Sequence, residues 1–277
     1  MEVTHVIRGD DHLTNAFRQT QIYKLMGWDM PEFAHIPLIH GADGAKMSKR
    51  HGALGVDSYR NAGFLPEAVC NYLLRLGWSH GDDEIISSQQ AVEWFGLASI
   101  GRAAARFDLD KLTSLNGNYI RASEDKRLVD LVMPLIREKL DGKMAIETES
   151  RLLRGMPGLK DRAKTLLELS ENAEIYAMLR PLPLDGKATE ILDGEGRGHL
   201  QKLHEILSEL DDWTDDSIQD QTKAYADSVD IKLGKAAQPL RAGLTGRTVS
   251  PSIFEVMEIL GRDETLARLE DVLIGPK

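Results

Sequence analysis

The chain has 277 residues, 42% of them hydrophobic and 28% charged, with a net charge of -10. That composition excludes wholesale disorder and leaves room for two or three modest domains. No apolar run approaches the length of a membrane span, MEVTHVIRGDD lacks the basic start and apolar core of a signal peptide, and the single cysteine, Cys70, can form neither an intrachain disulfide nor a cysteine-rich zinc site; a reducing cytoplasm is the expectation.

In chain order, Val3 to Ile7 is a short β-branched run that suits a buried strand. Apolar residues at Leu13, Ala16, Phe17, Ile22, Leu25 and Met26 predict a helix, with Thr14 or Asn15 as its cap and Gly27 as its stop. Phe33 to Ile39 reads as a second strand broken near Pro37. Strand, helix, strand is a parallel α/β unit, and no convincing further strand follows. The remainder predicts helices. Leu65–Trp78 has Pro66 in its first turn and Val69, Leu73 and Leu76 on one side. Residues 126–140 space Leu128, Leu131, Val132, Leu135 and Ile136 on one face, with Pro134 inside. A long stretch over 161–180 should end at Pro181, and Gly194, Gly196 and Gly198 should break the chain again. Leu200, Leu203, Leu207 and Leu210 mark another helix, and Thr214 caps the next. Ser250-Pro251 should open a helix closed by Gly261, followed by a last one over 263–273.

Two windows of this acidic chain carry bases and no acid: Gly44 to Val56, with Lys46, Lys49 and Arg50, and Ile231 to Arg247, with Lys232, Lys235, Arg241 and Arg247. Either they admit phosphate at chosen places or they are chance clusters on a solvated face. In the first, glycines flank Lys46-Met47-Ser48-Lys49-Arg50, as suits a cationic loop closing on nucleotide phosphates. The order of a Walker loop is absent.

Lys46-Met47-Ser48-Lys49-Arg50 resembles the KMSKS motif of class I aminoacyl-tRNA synthetases, and the likeness runs along the chain. Val6-Ile7-Arg8-Gly9-Asp10-Asp11-His12, Phe33 to Leu38, Gly63 to Ala68, Asn71 to Ser79, Phe107 to Ile120 and Gln238 to Pro251 resemble, in order, segments of bacterial glutamyl-tRNA synthetases. The resemblance implies a mainly α chain: a short α/β remnant of a class I Rossmann-type catalytic domain, then a stem-contact helical region, then an all-helical anticodon-binding region. The boundaries expected are 1–60, 61–125 and 126–277, the last divided near 195–200.

What the resemblance implies for function is ATP-dependent activation of glutamate and its transfer to tRNA(Glu). Lys46, Ser48 and Lys49 would be catalytic, with Lys49 on ATP. Asp11, His12, Leu38 and Ile39 would line the ATP site, and Arg8 would grip the glutamate carboxylate, its alternative being an ion pair with Asp10 or Asp11. Arg241, Arg247 and Arg162, the last expected to open a helix, are the tRNA-binding candidates. Trp213 and Phe254 fit core packing better than base stacking. ATP with Mg2+ is the implied cofactor, with no zinc site and no membrane partner. A HIGH-type motif is absent from the sequence, so the chain is expected to be the C-terminal portion of the enzyme and inactive alone. The competing readings are a glutaminyl-tRNA synthetase relative, which would carry a β-barrel distal part, a non-catalytic tRNA-binding module, and a helical scaffold.

Overall fold

The computed structural model describes residues 2–47 and 55–275, which divide into two compact units, Met1–Tyr119 and Ile120–Lys277. In the first, β1 (His5–Gly9) runs through a 3-10 turn (Asp10–His12) into α1 (Leu13–Met26), and the chain returns as β2 (Glu32–Ile36), parallel to β1 with Arg8 opposite His35. Gly27, in the left-handed region at φ 64°, ends α1 as predicted. The start differs. The 3-10 turn feeds directly into the helix, so His12 occupies the cap position and Asn15 turns its amide to the His12 ring at 3.2 Å.

Pro37 does split the second strand. Beyond it, β3 (Ile39–His40) pairs with a different partner, β4 (Ala105–Arg106), again in parallel. The expectation of no further strand is therefore corrected: β4 is two residues long, too short to show any periodicity. α2 (Val56–Asn61) and α3 (Pro66–Arg75) follow, with Pro66 at the first helical position. The buried side of α3 is Ala68, Val69, Asn71 and Tyr72; Leu73, expected inside, is 46% exposed. Tyr72 packs edge-on against Phe107 at 5.3 Å in a core with Phe64, Val69 and Leu112. α4 (Ser88–Trp94) starts with a capping box between Ser87 and Gln90. The boundary between the units falls within α5 (Leu109–Ala122). Two buried asparagines tie loops down by supplying the backbone partners those loops lack. Asn116 accepts from Leu65 N at 2.8 Å, and Asn71 accepts from Ile86 N and donates to Glu84 O, both at 2.9 Å.

The second unit is built on helices: α6 (Asp125–Lys139), α7 (Thr148–Lys160), α8 (Leu166–Ala173), α9 (Gly186–Asp193), α10 (Glu195–Ser208), α11 (Asp215–Ser228), α12 (Leu233–Thr245), α13 (Ile253–Leu260) and α14 (Arg262–Ile274). Pro134 lies inside α6, whose Leu128, Val129, Val132 and Ile136 are buried. The single stretch expected over 161–180 is replaced by the turn after α7, by α8, which Thr165 caps through Glu168 N, and by a 3-10 turn (Glu174–Tyr176). Arg162 thus follows a helix rather than opening one. Of the three glycines near 196, only Gly194 interrupts the helices. Gly196 lies in α10, where a Cβ would fall 2.1 Å from Ile191 O, so its lack of a side chain lets α10 start hard against α9. Thr214 caps α11 as predicted. Ser250 does not cap α13: its hydroxyl receives Arg241, and Ser252 takes the cap position.

At the centre of this unit lies Arg268, its side chain fully buried. Its guanidinium donates to Ile175 O at 2.8 Å, Leu244 O at 3.1 Å and Met178 O at 3.2 Å, and its Nε to Glu264 at 2.7 Å. One side chain therefore ties α14 to the end of α12 and to the chain after α8.

Candidate functional site

In the first unit the site grows from the end of β1. Arg8 leaves the strand opposite His35, to which its Nε donates at 3.2 Å, and its guanidinium carbon stands 5.3 Å from the centre of the Phe33 ring. His35 must offer Nε2 as an acceptor, which places its proton on Nδ1. The alternative ion pair with Asp10 or Asp11 does not form. Arg8 Nη2 is buried and has no hydrogen-bond partner among the described residues, leaving a donor in a fixed fork for an incoming acceptor. The sequence reading missed Phe33 and His35, although two-residue strand spacing sets both on one face.

Ile39 to Met47 form a closed hairpin. Met47 N donates to Ile39 O at 3.0 Å, His40 and Lys46 form an antiparallel bridge, and Gly41 N donates to Ala45 O at 2.9 Å. His40 Nδ1 donates to Gly44 O at 2.8 Å across the turn, and Gly44, at φ 77°, supplies a left-handed conformation that other residues rarely adopt. The hairpin delivers Lys46 to the turn after β1, where its Nζ donates to Asp11 Oδ2 at 2.6 Å, and His12 Nε2 stands 3.9 Å from the same oxygen. That hydrogen bond holds the Asp11 carboxyl below the ordinary carboxylate range, against the opposing effect of partial burial. Gly9 makes the assembly possible: a Cβ there would lie 2.6 Å from Asp11 Oδ1 and 3.2 Å from Leu38 Cδ2. The structure thus brings Lys46, Asp11, His12 and Leu38 together around Gly9, with Ile39 at the hairpin root. Ser48 and Lys49 lie outside the described residues.

In the second unit the arginines separate into two places. Arg241, on α12, donates from Nε to Ser250 Oγ at 2.9 Å and from Nη1 to Gln238 Oε1 at 3.1 Å, while Arg162 Nη1 donates to Ser250 O at 3.1 Å. Both guanidinium groups therefore meet at one serine. Burial, and secondarily the like charge of Arg162, lowers the Arg241 pKa. Arg247 is engaged elsewhere, donating to the Glu174 carboxylate at 2.9 Å and to Glu171 O at 3.4 Å. Glu174 is nearly buried and also pairs with Lys139. Phe254 is buried, and the Trp213 indole donates to Met257 O at 2.9 Å, so both serve packing. Arg268 and the two asparagines were not anticipated; the one local signal for Arg268 is its position four residues after Glu264.

A parallel strand pair, a lysine-bearing hairpin set against the turn after it, and a separate helical unit carrying paired arginines are the features to set beside known families. Residues 127–273 match the family described as anticodon binding domain, and residues 1–114 match tRNA synthetases class I (E and Q), catalytic domain. The chain belongs to this class I tRNA synthetase family, in its glutamate–tRNA ligase branch. It is 58% identical over 278 residues to glutamate–tRNA ligase 2 of Paramagnetospirillum magneticum, covering 100% of this chain and 58% of that protein. It is 59% identical over 271 residues to glutamate–tRNA ligase 2 of Rhodospirillum rubrum, covering 98% and 58%. A crystal structure of a glutamate tRNA ligase from Elizabethkingia meningosepticum in complex with its amino acid aligns with a TM-score of 0.83 at 28% identity, over 100% of this chain and 58% of that one. The chain thus spans a little under three-fifths of the length of these relatives.

Proposed function

We propose that this chain supplies the ATP loop and the tRNA-binding part of a cytoplasmic glutamate–tRNA ligase. In that enzyme ATP and glutamate give glutamyl-adenylate and pyrophosphate, and the glutamyl group passes to tRNA(Glu). The observation that carries the reading is the hairpin that sets Lys46 beside the Asp11-His12 turn, in a chain resembling glutamate–tRNA ligases over its whole length. Residues 1–60 are the end of the catalytic domain, 61–125 the stem-contact region and 126–277 the anticodon-binding region. Arg8 receives the glutamate carboxylate through its unengaged Nη2. Leu38 and Ile39 flank the adenine, Lys49 contacts ATP, Lys46 supports charge on the departing pyrophosphate, and Ser48 hydrogen-bonds within the loop. Among the described residues no three His, Cys, Asp or Glu side chains are grouped to hold an ion, so Mg2+ would arrive on the nucleotide phosphates. Arg162, Arg241 and Arg247 are the residues proposed to bind tRNA, Arg247 by exchanging its Glu174 partner for phosphate.

The test is a titration with tRNA(Glu) beside the same tRNA carrying a foreign anticodon, at fixed salt. Preferential binding of the native anticodon, weakened about tenfold by Arg162→Ala or Arg241→Ala as expected for one to three kcal/mol per lost base contact, supports the reading. Equal, salt-sensitive binding of both reduces the second unit to a phosphate patch. ATP–pyrophosphate exchange by the 277-residue chain alone should be absent; measurable exchange would overturn the assignment of a partial catalytic site.

A further inference from the structure

Among the described residues of the first unit, the lysine of the basic hairpin, Lys46, is already neutralised by a carboxylate, that of Asp11. The contact is not an incidental surface pair. Lys46 is fixed from behind by its bridge to His40 and by the neighbouring Met47 N to Ile39 O bond, so its ammonium has a defined origin. Asp11 is fixed by the 3-10 turn and by its close approach to Gly9. The Asp11 side chain is 33% exposed and that of Lys46 56%, so solvent and a dissolved anion can both reach the contact. A carboxylate oxygen at 2.6 Å and a phosphate oxygen would compete for the same donors of the same ammonium.

We propose that Asp11 is a positioning residue that holds Lys46 until a polyphosphate takes its place, so that nucleotide binding at this hairpin is an exchange of carboxylate for phosphate. This rests on the reading of the hairpin as a phosphate site. The exchange has a direct consequence for affinity: part of the attraction of Lys46 for phosphate is offset by breaking the pair. The pair also orients Lys46, because the amino group is held pointing at the turn after β1.

The experiment is calorimetric titration of the 277-residue chain with inorganic pyrophosphate, comparing wild type with Asp11→Asn, Asp10→Asn, Lys46→Met and the double variant Asp11→Asn/Lys46→Met. Asp10→Asn removes the same charge from the same turn without touching Lys46. The expected result is about two- to five-fold tighter binding for Asp11→Asn, the range an exposed pair contributes, no such gain for Asp10→Asn, and loss of the gain when Lys46 is methionine. Equal gains for Asp10→Asn and Asp11→Asn, or a gain that survives without Lys46, would overturn the exchange and leave the phosphate reading standing. Pyrophosphate binding by none of the proteins would overturn the phosphate reading and the exchange with it.

Discussion

Replacing Arg268 with methionine should destabilise the helical unit more than any other single loss of charge in it. Methionine keeps most of the aliphatic stem, so little cavity opens, and the loss is confined to the guanidinium. Three carbonyls, of Ile175, Leu244 and Met178, would then lose their charged donor inside a fully buried site. Each such loss costs about 1–3 kcal/mol when no replacement partner arrives, and breaking a buried charged network by removing one member costs about 3–5 kcal/mol. Glu264 softens the outcome, because it is partly exposed and stands 3.6 Å from Arg180 Nε. The native guanidinium also carries a desolvation penalty, which lowers its pKa, so the net figure belongs at about 3–4 kcal/mol rather than at the sum of the parts. Urea denaturation followed by helical ellipticity, with Lys202→Ala as a control that removes only an exposed pair with Glu205, measures it. A loss below about 1 kcal/mol would show instead that water or backbone shifts satisfy the carbonyls. The loss of the guanidinium would also reach the arginines proposed for tRNA binding, since Leu244 lies in the last turn of the helix bearing Arg241, and Ile175 follows the Glu174 that holds Arg247.

Gly246→Ala should lower the melting temperature by about 5 °C or more, because the residue sits at φ 70° and a Cβ would fall 2.1 Å from Pro183 O; an unchanged melt would show that the 183–185 loop yields freely. The Asp11 carboxyl is held low by Lys46, so its pairing contributes fully above the ordinary carboxylate pKa of about 3.9 and is lost as pH falls through the depressed folded value. Its midpoint, followed by carboxyl carbon NMR, should move upward in Lys46→Met, and an unmoved midpoint would contradict the pairing.

The sequence made α1 legible because everything that defines it is local: apolar spacing over Leu13–Met26 and a glycine free to adopt positive φ at its end. It was misleading wherever a breaker residue serves a distant neighbour. Gly155, Pro157 and Gly158 disguise α7, yet Gly155 is small because the Tyr176 ring lies 2.7 Å from where its Cβ would be, and Gly158 because the Glu255 carboxylate lies 2.6 Å away. Conversely, Asp161 to Lys164 contain no breaker, so periodicity runs through a turn that the Thr165 cap and the Lys164 N bond to Glu168 enforce. In the candidate site, the hairpin glycines and lysines were visible as a basic window. The parking of Lys46 on Asp11 and the seating of Arg8 on His35 and Phe33 were not, because each joins residues that only the fold brings together.

The buried Asn116 is followed by Gly117, a pair in which, in a flexible chain, the glycine nitrogen readily attacks the side-chain amide, expelling ammonia to give a cyclic imide that water opens to aspartate or its isomer. Within α5 the helical backbone and the bond from Leu65 N hold the amide away from that geometry. Each local opening of this region therefore carries a chemical hazard as well as a conformational one. An aspartate formed while the helix is open would have to bury a charge and would lose the amide that donates to the Gly63 carbonyl. Burial of Asn116 in α5 thus protects its side chain chemically as well as holding the Leu65 loop in place.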